Sequence, residues 1–145
     1  MKIYLATKVA QKPADVFAKF DEDLFNKLTP PGIKVSLDRF DGCKKNDEVH
    51  LVLDFIFFKQ KWNSLIIDSG NDTDGFYFVD EGIKLPFFLK TWKHVHRIDF
   101  CQDGSKIIDD ICFKTGFLVT DYLLYPILYF QFLYRKPVYK RIFDV

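Results

Sequence analysis

The 145-residue chain is predicted to form one α+β domain: a seven-stranded antiparallel meander, two short helices after the first strand and one long C-terminal helix. Three observations carry this prediction. Turn residues recur at short intervals and separate segments in which apolar residues alternate, the pattern of an antiparallel sheet with one buried face. The one long apolar run with helical spacing lies near the C-terminus. A length of 145 residues fits a single domain over residues 1–145, one that buries roughly 68% of its unfolded surface.

Each element has its own signal. Residues 2–10 alternate and form the first strand. Lys12-Pro13-Ala14-Asp15 turns into a helix with Val16, Phe17 and Phe20 as its apolar stripe, and Pro13 costs little near the first helical position, where its missing N–H has no partner to lose. Asp21 is the expected N-cap of a second helix over residues 21–28, with Leu24, Phe25 and Leu28 inward; Pro30-Pro31-Gly32 ends it. Six strands follow, at 33–40, 47–58, 61–68, 75–82, 91–101 and 105–114. In the third strand Val49, Leu51, Leu53, Phe55 and Phe57 share a face. The segment from Phe117 to Tyr134 reads as the long helix, with Leu118, Tyr122, Tyr125 and Tyr129 at helical spacing; Pro126 is expected to kink it and Pro137 to break it.

That apolar run of about 18 residues is read as the cover of the sheet rather than as a membrane span. A spanning helix needs about 20 apolar residues. This one carries Asp121, Pro126 and Gln131, and an aspartate at mid-bilayer costs about 2.5–3.5 kcal/mol. Seven amphipathic strands also need something over their apolar face, and no other long helix is at hand. No stable membrane insertion is expected.

Composition narrows the function classes. A net charge of +1 and a pI near 7.7 lack the basic face of a nucleic-acid binder, so no nucleic-acid partner is expected. With 17 Phe and 18% aromatic residues, the chain has either a large aromatic core or an aromatic-lined pocket. Three cysteines, an odd number without a Cys-x-x-Cys pair, indicate neither a disulfide framework nor a structural zinc site. They read as reduced thiols, and with no signal-peptide pattern at the start the expected location is cytoplasmic. There is no Gly-rich phosphate loop and no Gly-x-Ser-x-Gly elbow. Homodimer formation is left open.

The most informative stretch is Trp92-Lys93-His94-Val95-His96-Arg97-Ile98-Asp99-Phe100. Alternation puts Trp92, His94, His96, Ile98 and Phe100 on one face, and an apolar face with two imidazoles suggests a cavity with a polar spot. With Asp103-Gly104 as the centre of a two-residue turn, His94 pairs with Phe113, His96 with Ile111 and Ile98 with Asp109. Ile107, Asp109, Ile111 and Phe113 then share that face, with Asp109 diagonal to His96. An inward carboxylate needs a partner, and an imidazole is the obvious one. The pairing raises the histidine pKa while burial lowers it. The His94/His96/Asp109 cluster reads either as a ligand-orienting or acid/base site or as a polar network that satisfies only itself. As a metal site it would need Asp109 or His50 as third ligand; His50 falls on the opposite face, and no metal or cofactor is expected. Cys101 and Cys112 point away from the histidines. The apolar loop Gly82 to Lys90, with Pro86-Phe87-Phe88, reads as a lid, as core under the long helix or as a partner patch.

The element order, with Pro13-Ala14-Asp15-Val16-Phe17, Pro86-Phe87, Trp92-Lys93-His94-Val95-His96, Asp109-Asp110-Ile111-Cys112-Phe113, Pro126 and Tyr134-Arg135, resembles the START-like helix-grip superfamily, also called SRPBCC, and within it the polyketide-cyclase-like ligand-binding branch. The resemblance implies a curved seven-stranded sheet wrapped around the C-terminal helix, with a deep apolar cavity between them. It implies binding of a small, largely apolar molecule of lipid or polyketide/aromatic type, held by Trp92, His94, His96, Ile98, Asp109, Ile111 and Phe113, with Phe87, Tyr122 and Tyr125 at the mouth or the helix face. Two other activities fit the same fold: a cyclase or dehydratase using His94, His96 and Asp109 as acid and base, and a protein-interaction module of the chaperone-regulator kind.

Overall fold

The computed structural model describes residues Met1–Val145. In chain order the elements are β1 (Lys2–Val9), α1 (Pro13–Ala18), α2 (Glu22–Lys27), β2 (Lys34–Phe40), β3 (Glu48–Asp54), β4 (Lys59–Asn71), β5 (Gly75–Lys84), β6 (Thr91–Cys101), β7 (Gly104–Lys114), α3 (Leu118–Leu133) and α4 (Arg135–Phe143). All seven strands join one antiparallel sheet in the order β1-β7-β6-β5-β4-β3-β2. Every neighbour except β1–β7 is a hairpin, so α1 and α2 carry the chain from one edge of the sheet to the other.

Local chemistry accounts for the ends of these elements. The Leu24 N–H donates to the Asp21 carboxylate at 2.9 Å, the N-cap the sequence called for. Register shifts between Leu37 and Arg39, Asn63 and Ser64, and Ile66 and Asp68 mark bulges, and bulges bend and twist a strand. The bent sheet holds α3 and α4 on its inner face in two apolar clusters. Val9, Val16, Ile98 and Tyr139 belong to one; Ile3, Trp92, Ile111, Phe113 and Leu128 belong to the other.

Three expectations need correction. The third strand stops at Asp54 rather than running to residue 58, because Phe55–Phe58 is a tight turn in which the Phe57 N–H donates to the Phe55 carbonyl at 2.9 Å and Ile56 has φ +76°. Its apolar residues imitate strand alternation, yet Phe57 points into solvent. The long helix runs on through Pro126, and the break falls at Tyr134, before Pro137. Pro137 sits in the first turn of α4, where backbone N–H groups have no helical partner anyway. Finally, Cys101 pairs with Gly104, so Gln102 and Asp103 form the turn and the β6–β7 register is offset by two from the predicted one. Gly104 is required for another reason: φ is +146° and a Cβ there would strike the Val9 and Ala10 backbone. An offset of two keeps every side chain on its predicted face.

Candidate functional site

The corrected register puts His96 directly opposite Asp109 and His94 opposite Ile111 on β7. On the other flank, β5 brings Phe78 opposite His96 and Asp80 opposite His94. The hydrogen bonds run diagonally. His94 Nε2 lies 2.9 Å from Asp109 Oδ1, and His96 Nε2 lies 2.9 Å from Asp80 Oδ2. His94 Nδ1 is 3.5 Å from the same Asp80 oxygen. Both nitrogens of His94 thus face carboxylates. The Trp92 indole N–H donates to Asp80 Oδ1 at 3.0 Å, and the Arg135 guanidinium stands 3.5 Å from Asp109.

Aromatic packing holds this cluster in place. The His94 and His96 ring centroids are 3.5 Å apart, Phe78 stacks on His96 at 4.2 Å, and Phe132 meets His94 edge-on at 5.2 Å. Arg135 lies over the Phe132 ring at 4.2 Å. The two carboxylates find their partners in the Arg135 guanidinium, the Trp92 indole N–H and the two imidazoles, which is how buried charge is tolerated.

The titration behaviour follows from these contacts. Burial pushes the Asp109 carboxyl up, but the His94 hydrogen bond and the charges of Arg135 and His94 outweigh it and bring it down to about 2. Asp80 is likewise held below its ordinary value: burial opposes ionisation, and the His96 hydrogen bond, the His94 charge and the Trp92 hydrogen bond together win. His96 is pushed down to about 4, by burial first and then by the His94 charge beside it. His96 is therefore a neutral imidazole at pH 7.

The cluster opens onto a cavity of about 400 Å³, within the size range of small-molecule sites. Leu51, Leu53, Ile66 and Phe78 of the sheet, Leu24 and Leu28 at α2, and Leu124, Ile127 and Leu128 of α3 form its apolar walls. Asp21, Thr29, Ser64, Asp80, His94, His96, Gln131 and Arg135 supply its polar groups.

The predicted site residues divide accordingly. Trp92, His94 and His96 line the cavity. Asp109 stands behind His94, buried and out of the lining. Ile98, Ile111 and Phe113 do not line it but are packed in the two core clusters, because α3 and α4 cover β7 and the far end of β6 and leave the open space over β2–β5. Phe87 and Tyr122 face solvent; Phe88 takes the inward position in the loop. Tyr125 stacks on Tyr129 beside the core rather than lining the cavity. The inward stripe of α3 is Leu124, Leu128, Gln131 and Phe132, with the largely exposed Ile127 at its edge, rotated from the tyrosine stripe the spacing suggested.

Sequence reasoning missed Asp80, Arg135 and Gln131. Asp80 shares strand parity with Phe78, so an inward carboxylate beside the His-x-His strand was there to be found. Arg135 follows the Pro126 helix within the very Tyr134-Arg135 pair that supports the resemblance.

Asp80, His94 and His96 place one donor atom each within 4.8 Å of one another, which makes them the residues that could hold a divalent ion. As arranged, each ring is hydrogen-bonded to a carboxylate, His94 to Asp109 and His96 to Asp80, and a metal would have to displace these contacts.

No family model and no curated sequence matches the chain. Solved structures do. The di-domain ARO/CYC protein StfQ of the steffimycin biosynthetic pathway superposes with a TM-score of 0.69 at 14% identity, over 99% of this chain and 50% of that one. Protein Ms6760 from Mycobacterium smegmatis gives 0.65 at 11% identity, over 92% and 84%. Norcoclaurine synthase from Thalictrum flavum, in complex with dopamine and hydroxybenzaldehyde, gives 0.62 at 11% identity, over 88% and 76%. The chain has the START-like helix-grip fold. In helix-grip terms the grip is the bent sheet, the gripped element is α3 with α4, and the cavity is the space they leave towards β2–β5.

Proposed function

We propose that this helix-grip domain binds a small, largely apolar molecule in the cavity between the sheet and α3. The observation that carries the reading is the cavity of about 400 Å³ whose walls are mostly aliphatic and aromatic and which includes the Asp80, His94, His96 and Arg135 cluster. A cavity of this kind sequesters a ligand's apolar body from water, at about 25 cal/mol per Å², and orients its polar end. Ser64, Gln131, Arg135, Asp80 and His96 are the groups for that end. The complex of norcoclaurine synthase with two small aromatic molecules supports an aromatic ligand class for the same fold. The test is titration with an apolar fluorophore such as 1-anilinonaphthalene-8-sulfonate: wild type binds one equivalent, and Leu51→Trp, which fills the space, binds none while melting cooperatively. Equal binding by both proteins rejects the reading.

One observation favours a second reading, acid/base catalysis of a cyclase or dehydratase type. His96 is a neutral imidazole with Asp80 on its Nε2, at the cavity wall, the pairing that sets a histidine up as a base. Turnover that rises with pH through about 4, where His96 loses its proton, and disappears in His96→Gln would support it. Turnover unchanged in that variant removes the base.

A further inference from the structure

We propose that the cavity end of the molecule docks on an anionic lipid surface, through the 55–58 turn, the 83–90 loop and the outer side of α3. This inference concerns the surface and does not depend on the cavity being occupied.

Exposed apolar side chains concentrate at this end. Ile56 is 90% exposed, Phe57 93% and Phe87 74%. The two turns that carry them form one surface: the Phe58 and Phe87 rings lie 6.0 Å apart and those of Phe55 and Phe88 6.1 Å apart. Helix α3 continues it. Leu118, Val119, Tyr122 and Leu123 are all more than 60% exposed, so the helix is apolar on both its sheet side and its outer side. A helix apolar all round is ordinarily buried on all sides, and soluble chains seldom leave so many large apolar groups together in water. The patch adjoins the cavity, since Phe55, Phe88, Leu124 and Ile127 line it from the same segments.

The 55–58 turn is also strained. Ile56 is β-branched and has φ +76°, closing a γ-turn through the Phe57 N–H and the Phe55 carbonyl. Its side chain, 90% exposed, gains no packing in return. The conformation serves to project Ile56 and Phe57 outward, and backbone strain without a packing reward accumulates where function needs a geometry.

Charge selects the occupant. The tips and the strand ends that carry them hold Lys59, Lys61, Lys84, Lys90 and Lys93 against two acids, Asp54 and Glu81, which lie opposite Lys59 and Lys93 in the sheet. All five lysines are exposed and none forms an ion pair. The one acid of α3, Asp121, is buried and accepts from the Thr115 N–H and hydroxyl. Acidic residues gather at the opposite end, where Asp41, Asp47 and Glu48 flank the β2–β3 connection and Asp72 and Asp74 the β4–β5 turn. A net charge of +1 thus hides a molecule with a basic, apolar end and an acidic end. Aromatic tips ringed by lysine match an anionic bilayer interface, where the rings enter the headgroup boundary and each lysine adds attraction. A second copy of the chain fits less well, since a two-fold interface at this patch sets one lysine ring against the other.

The test is vesicle flotation of the full chain at 0.1 M salt, with phosphatidylcholine:phosphatidylserine 70:30 against pure phosphatidylcholine. The protein is expected to float with the serine-containing vesicles, at least about tenfold less with pure phosphatidylcholine, and progressively less as salt rises to 0.5 M. Phe57→Ser with Phe87→Ser, both at exposed positions, lowers partitioning at least about tenfold. Lys84→Glu with Lys90→Glu lowers it about twentyfold or more, and Lys8→Glu, at the far end of β1, leaves it unchanged. Leu51→Trp, which blocks the cavity, still floats, so failure of docking and failure of ligand binding are told apart. Absence of flotation with either vesicle overturns the proposal, as does undiminished flotation of the double phenylalanine variant. A dimer in sedimentation velocity that the phenylalanine variant dissociates, without flotation of wild type, assigns the patch to a second copy and also overturns it.

Discussion

Acidification from pH 7 to pH 5 is expected to cost the folded protein about 2 kcal/mol through His96 alone. In the fold, burial and then the neighbouring His94 charge push the His96 imidazole down to about 4 from its ordinary 6.5. At pH 5 the unfolded chain binds a proton on His96 and the native state does not. Stability therefore falls as pH falls: the His96 contribution is complete above pH 6.5 and is lost progressively down to about pH 4. Over that whole window the loss is about 3 kcal/mol, at 1.36 kcal/mol for each pH unit separating the two values. Stopping at pH 5 keeps ordinary carboxylates ionised, and the comparison with a variant at position 96 separates His96 from the chain's other two histidines. Urea unfolding at half-unit steps from pH 7 to pH 5 measures it, beside His96→Gln, which has nothing to titrate at this position. Wild type should lose about 2 kcal/mol and the variant less than about 0.5. A flat wild-type profile, or an equal slope in the variant, refutes a neutral buried His96.

Further outcomes follow from the same structure. Asp109→Asn leaves His94 and Arg135 without the carboxylate they share and should cost about 3–5 kcal/mol in urea unfolding; the wild-type share of Asp109 itself is lost only as pH falls from 3.8 towards about 2. Gly104→Ala drives a Cβ into the Val9 and Ala10 backbone at a positive φ and should cost at least about 2 kcal/mol by thermal unfolding, where the same change at a compatible backbone stabilises by about 0.4–1. Burial pushes the Cys43 thiol up to about 12, whereas Cys112 is exposed; iodoacetamide at pH 8 should label Cys112 first and reach Cys43 only on unfolding, as peptide mapping will show.

Much of the fold was legible in the sequence because two signals did not compete. Strand alternation and turn chemistry agree from Lys34 to Lys114, and Asp21 caps a helix as its side chain dictates. Errors fell where one pattern imitates another. Phe55–Phe58 keeps strand alternation while the backbone turns at Ile56, and an aliphatic residue in left-handed backbone has no sequence signature. Gly104 was needed beside Val9, a contact 95 positions away in sequence, and so displaced the expected turn by one residue.

The site was half legible for the same reason. Parity puts Trp92, His94 and His96 on the inner face whatever the register, since an offset of two changes no face. It does not say which part of that face is covered. Ile98, Ile111 and Phe113 are inward too, but lie under α3 and α4. Helix phase was the weaker guide, because α3 is apolar on every side and its tyrosines mark no single stripe. Asp80 and Arg135 come from β5 and α4, and only the assembled sheet brings them to the two imidazoles.

The most direct measurement is native mass spectrometry of the freshly purified protein beside a denatured sample. An occupied apolar cavity predicts a reproducible added mass on the native protein that disappears on denaturation and is absent from Leu51→Trp. The bare chain mass in the native spectrum, unchanged after incubation with a cell lipid extract, would contradict ligand binding as the role of this cavity.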